Sequence, residues 1–136
     1  MTTYAGFIAA LSAMTPAGVQ HVYGLGDTPP ASLNTADLPA MWVQLPKGEH
    51  DILTFQSGKH WPTYSAEVVV AVIPAAQGMS LGRAFEQTVE LMDNLATAMD
   101  AVRPAESKPR WTMRQGSVNV AGIDYWAVII EVTASG

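Results

Sequence analysis

Two stretches of this chain alternate as strands do and yet stay apolar in both registers. Along Thr63–Ile73 one register holds Tyr64, Ala66, Val68, Val70 and Val72, and the other holds Ser65, Glu67, Val69, Ala71 and Ile73. Near the end, Trp126, Val128, Ile130 and Val132 fall on one side, with Ile123, Tyr125, Ala127 and Ile129 on the other. Successive side chains of a strand point to opposite faces, so both stretches predict strands that are dry on two sides. A longer period marks the segment from Ser80 to Arg103. There Leu81, Phe85, Thr88, Met92, Leu95, Met99 and Val102 recur in steps of three and four, the stripe of an amphipathic helix. Ser80 is its cap and Pro104 its stop. At about 1.5 Å per residue the helix measures roughly 35 Å, enough to cross a sheet.

The remaining pattern supplies shorter elements. Tyr4, Phe7, Ile8 and Leu11 have helical spacing, with Thr3 as a cap and Thr15-Pro16 as a stop. Val19–Tyr23 predicts a short strand, and Gly24–Pro39 a long loop without periodicity, of a length that suits either a functional arm or disorder. Ala40–Leu45 predicts a strand ended by Pro46. Lys47–Trp61 sets Ile52, Leu53 and Phe55 between polar, glycine-containing ends and predicts a protruding hairpin or loop. Arg110–Val118 and Gly122–Thr133 predict a C-terminal hairpin. The expected fold is one α+β domain over residues 1–136: a mixed or antiparallel sheet with an N-terminal helix and one long central helix packed on it. This much helix is too little for two sheet faces, so a partner is expected over part of one.

Composition points the same way. No Asp, Glu, Lys or Arg occurs from Met1 to Gly26, and charged residues are 14% of the chain, against roughly 25% in average domains. Hydrophobic residues reach 49%, yet no apolar run approaches the ~20 residues of a membrane-crossing helix. Burial against other protein chains is therefore expected, and no membrane. Net charge is −5 without a basic cluster, which disfavours tight binding to a nucleic acid duplex. The chain has no Cys, so disulfides, thiolate zinc sites and Cys nucleophiles are excluded. The start does not resemble a signal peptide, and a cytoplasmic setting is expected.

Candidate chemistry is sparse. His21, His50 and His60 are the only histidines, and their spacing does not make a metal site. Gly24-x-Gly26 leads into Asp27 and Pro29-Pro30, which is the wrong context for a phosphate loop. No catalytic residue, metal or cofactor is expected. Glu86, Glu90, Asp93 and Asp100 lie opposite the apolar stripe of the long helix. They are either a solvated face or an acidic wall past which nucleic acid phosphates slide. Among Trp42, Trp61, Trp111 and Trp126, the last is expected in the core and Trp61 at a contact. The candidate subunit-interface residues are Ile52, Leu53, Phe55, Trp61, Val69 and Ile73.

The order of elements, the segment Leu38-Pro39-Ala40-Met41-Trp42-Val43-Gln44-Leu45-Pro46 and the ending Val120-Ala121-Gly122-Ile123-Asp124-Tyr125-Trp126-Ala127-Val128 resemble the tail terminator (tail completion) proteins of long-tailed bacteriophages. The resemblance covers most of the chain. It implies a homo-oligomer, a hexameric ring capping the tail tube in the virion, with the tail tube protein and head–tail connector proteins as partners. DNA would pass through the bore without specific binding, and assembly would take place in the host cytoplasm. Other connector, neck or tube proteins share parts of the pattern. From a different class, a soluble ligand-binding or regulatory domain would place a pocket under the long helix at Met92, Met99 and Trp111.

Overall fold

The hairpin at the end of the chain organises the sheet. Ala121 and Gly122 have φ of 54° and 82°, the left-handed pair of a two-residue type I′ turn whose twist suits antiparallel strands. The Asn119 side chain holds it, accepting from the Gly122 N–H at 3.2 Å and donating to Asp124 at 2.9 Å. In the computed structural model, which describes residues 3–24, 30–49, 62–75 and 81–136, the elements are α1 (Tyr4–Ser12), β1 (His21–Val22), a 3₁₀ turn (Thr35–Asp37), β2 (Ala40–Glu49), β3 (Thr63–Pro74), α2 (Leu81–Ala101), β4 (Arg110–Val120) and β5 (Ile123–Ser135). The strands form one sheet in the order β1-β2-β3-β5-β4. Only β1 and β2 run parallel; the other neighbours are antiparallel. The fold is the expected α+β domain, with a mixed sheet and both helices packed on it.

Each register of the alternating strands faces its own core. Tyr64, Ala66, Val68, Val70 and Val72 of β3 join Val128, Ile130 and Val132 of β5 on the first face. That face is covered by Phe7, Ile8 and Leu11 of α1 and by Leu91, Leu95 and Met99 of α2. The two helices divide the work: α1 lies on β2 and β3, and α2 on β5 and β4. Thr3 caps α1 as expected, accepting from the Gly6 N–H at 3.0 Å. The opposite register gives a second core of Trp42, Val69, Ala71, Val120, Tyr125 and Ala127.

Several expectations are corrected. Part of the second face is covered by the chain itself: Tyr23, Leu33 and Leu38 pack on that core. The described part of Gly24–Pro39 is thus a cover and not a projecting arm. β2 does not stop at Pro46 but continues to Glu49. It passes the proline through a register shift between Gln44 and Lys47, with Leu45 at φ 51°. The missing N–H of Pro46 costs little there, because β1 pairs only as far as Met41. On α2 the buried stripe runs through Thr88, Leu91, Leu95 and Met99, while Phe85 is 59% exposed. Trp126 is only half-buried; among the described residues the tryptophan of the core is Trp42, at 1% exposure.

Candidate assembly surface

The second face of the sheet is divided along its length. Beside the apolar core under residues 30–39, the register brings Gln44, Glu67, Glu131 and Thr112 into one row across four strands. The row is polar because this end of the sheet has no cover among the described residues. Trp42 begins a relay into it. Its Nε1–H donates to Gln44 Oε1 at 2.9 Å, and Gln44 Nε2 donates to Glu67 Oε1 at 3.1 Å. Ser65 and Thr133 share a hydrogen bond of 3.1 Å in the next row. Glu67 stands directly opposite Glu131, an arrangement of like charges that destabilises an antiparallel pair. Arg114 is paired with Ile129 and Arg110 with Thr133, so the two arginines flank Glu131 from β4. This is a surface arranged for water or a polar partner.

On the other side, the carboxylates of Glu86, Glu90, Asp93 and Asp100 are all exposed along α2. They form the face opposite Leu91, Leu95 and Met99, as the helical period requires. A cleft of about 480 Å³ opens between the end of α1 and α2, lined by Ala10, Ala13, Met14, Pro16, Ala98 and Val102 among others. It is not the pocket expected at Met92, Met99 and Trp111, none of which lines it; Met99 is 1% exposed and belongs to the core. Small residues, Ala10, Ala13, Ala98 and Ala101, leave the room. Their helical spacing was visible in the sequence, though not that the two helices would lie side by side.

The candidate interface residues separate. Val69 is 0% exposed and lies in the second core, so it is corrected from a contact residue to a core residue; Trp42 and Ala71 pack around it. Ile73 is half-buried at the end of β3, against the first core. Ile52, Leu53, Phe55 and Trp61 lie outside the described residues, as do His50 and His60. His21 is exposed on β1, its ring edge-on to Tyr23 at 4.4 Å. Burial pushes the Tyr23 hydroxyl above the usual tyrosine range, and the carboxylate of Asp37 adds to the effect. Among the described residues no three His, Asp or Glu side chains gather as a metal site would require. No helix of the described residues is long and apolar enough to cross a membrane.

Sequence reasoning missed the exposed flank of α2, where Phe85 and Val89 are 59% and 40% exposed. Phe85 fits the period of the buried stripe, and only the position of the sheet separates the two. No protein-family model matches the chain, and no curated protein matches it.

Proposed function

We propose that the chain is a structural virion protein, a tail terminator whose copies form a six-membered ring that caps the tail tube and joins it to the head connector. The observation that carries this reading is the resemblance of its element order, and of residues 38–46 and 120–128, to tail terminator proteins. Those residues are the entry to β2 and the β4–β5 turn with the start of β5. The exposed acidic face of α2 supports it, since a bore lined by carboxylates repels phosphates and lets DNA pass unheld. The low fraction of charge, 14%, suits a subunit largely enclosed by others. In this reading the protein has no catalytic role and resides at the head-proximal end of the tail.

Mixing the purified protein with tail tubes and imaging by negative stain tests this. The expected result is a six-fold ring on one end of each tube and tails that then join heads. Bare tubes beside unassembled protein would sink the proposal. A tube subunit would instead polymerise openly, and a head-side connector would bind heads without tubes. The cleft beside α1 favours one different reading, a ligand-binding module, because its 480 Å³ is the size of small-molecule sites. Saturable binding of an apolar compound by protein that ignores tubes would select that alternative.

A further inference from the structure

The two edges of the sheet are built differently. On the β1 side the edge is short and broken. β1 pairs through His21 and Val22 alone, and beyond it β2 carries Leu45 at φ 51°, a register shift and Pro46, which has no N–H. An edge interrupted in this way resists pairing with another chain. β4 has no such device. It runs 11 residues from Arg110 to Val120 in unbroken register with β5, its one neighbour among the described residues.

The turn geometry shows which backbone groups of β4 are unused. A two-residue type I′ turn makes its flanking residues, Val120 and Ile123, a hydrogen-bonded pair. Alternation along an antiparallel ladder then turns the backbone of even-numbered β4 residues toward β5. Trp111, Met113, Gln115, Ser117 and Asn119 turn their N–H and C=O groups outward, where no strand pairs with them among the described residues.

A second feature borders the same edge. Asn94, Thr97, Ala98 and Ala101 of α2 line the cleft toward α1, which lies over β2 and β3. The opposite flank of the helix, with Phe85, Val89, Met92 and Ala96, therefore looks out over β4. Phe85 and Val89 are two of the large exposed apolar side chains of the protein.

We propose that β4 is the docking edge for a second copy of this chain, strand against strand, antiparallel about a two-fold axis at Gln115. Three properties favour a second copy over a foreign strand. This register uses the whole of β4, so each outward donor meets an outward acceptor: Gln115 with Gln115, Met113 with Ser117, Trp111 with Asn119. It sets Arg114 opposite Gly116 and Arg110 opposite Val120, so the charged side chains of β4 never oppose each other. It also brings the helices together. With strands roughly 4.8 Å apart and α2 seated over β5 and β4, the two copies of α2 stand roughly 10 Å apart, the spacing of packed helices. Phe85 and Val89 then fill the seam. A contact about 35 Å long and about 20 Å deep covers roughly 700 Å² per copy, close to the ~800 Å² of a stable complex.

A two-fold contact pairs subunits and does not by itself close a ring. It is therefore separate from the lateral contact of the proposed ring, and it holds free subunits in pairs until a tail tube is met. Sedimentation and amide exchange on the whole chain test it. Wild-type protein is expected to be a dimer. Its amides at Met113, Gln115 and Ser117 should exchange slowly at high concentration and rapidly after dilution. Gln115→Pro removes an outward donor without touching the β4–β5 ladder, and should yield a folded monomer. Phe85→Glu, at an exposed position, should weaken the dimer at least tenfold. If Gln115→Pro fails to fold, Phe85→Glu and the wild-type exchange rates decide. A monomer at every concentration, or a dimer whose outward β4 amides exchange freely throughout, would overturn the proposal. Rings that form on tubes from monomeric wild-type protein would overturn it while leaving the terminator reading intact. Loss of the dimer in both variants, with no wild-type ring on tubes, would do the reverse.

Discussion

The two faces of the sheet bury comparable strand residues under very different covers. On the first face two helices lie side by side, and their largest side chains, Phe7, Leu11, Leu95 and Met99, are at most 1% exposed. On the second face the cover is a strip of irregular chain in which Tyr23, Leu33 and Leu38 are only partly buried. A helix satisfies its own backbone groups and can commit a whole stripe to the sheet. An irregular strip must hydrogen-bond its backbone elsewhere. Gln20 and Tyr23 donate to Pro39 and Met41 at 2.8 Å, and Asn34 holds the 3₁₀ turn through the N–H groups of Ala36 and Asp37. The difference teaches that stability is concentrated on the helical face, and that the second face is where this domain is adjustable.

The largest expected effect is on the helical side. Phe7 is 1% exposed and stacks on Tyr64 with ring centroids 5.6 Å apart. Phe7→Ala should cost about 3–5 kcal/mol of unfolding free energy by denaturant titration. A loss under about 1 kcal/mol would mean that α1 is not part of the core. On the second face Leu38→Ala should cost only about 1–2 kcal/mol, because the side chain is half-buried. It should also speed amide exchange at Tyr23, whose N–H bonds to Met41. If Leu38→Ala matched Phe7→Ala, the two faces would be equally committed and the contrast would fail.

A smaller effect of opposite sign sharpens the same contrast. The Ser12 hydroxyl at the end of α1 is buried without a hydrogen-bond partner among the described residues. A buried polar group in that state costs stability, and Ala is also the better helix former. Ser12→Ala should therefore raise the unfolding free energy by about 0.5–1.5 kcal/mol. No change, or a loss, would mean that the hydroxyl is satisfied in solution and that the helical face has no such defect.

The sequence was most informative where a period is long and unbroken. Through the middle of β3 the two registers sort onto the two cores as alternation requires, with Val68 and Val70 on one and Val69 and Ala71 on the other, while Ile73, beyond the register shift, packs on the first. Legibility failed where tertiary context decides. Pro46 reads as a strand end unless its nitrogen, which carries no hydrogen, faces an edge with no neighbour. Phe85 falls in the three-and-four stripe with Thr88 and Met92 while Leu91 does not, and only the position of β5 and β4 beneath α2 turns the buried face toward Leu91 and leaves Phe85 exposed. The cover over the second face has no period at all: Leu33 and Leu38 lie in a stretch broken by prolines and small or polar residues, and their role is set by contacts remote in sequence. For the assembly surface, alternation identified Val69 as apolar without revealing that the chain itself covers it. The open edge of β4 was equally unreadable, because strand order is not written in local pattern.

The weakest expected effect reports on the second cover directly. Tyr23 sits at its margin, and burial followed by the Asp37 carboxylate raises its hydroxyl above the ordinary value of 10.0. A group whose folded pKa is raised binds its proton more tightly in the folded protein. Its contribution to stability is therefore complete below the unfolded value, near ~10, and declines as pH rises through the folded value. Wild-type protein should lose stability above about pH 10 more steeply than Tyr23→Phe, which keeps the packing and has no proton to lose. Absorbance titration should place the transition of Tyr23 above that of an exposed tyrosine. Asp37→Asn should lower it only in part, because burial is the larger cause. If Asp37→Asn returned Tyr23 fully to the ordinary range, burial would not be acting there. The strip over the second face would then be open in solution, and that face would be available to whatever the subunit meets.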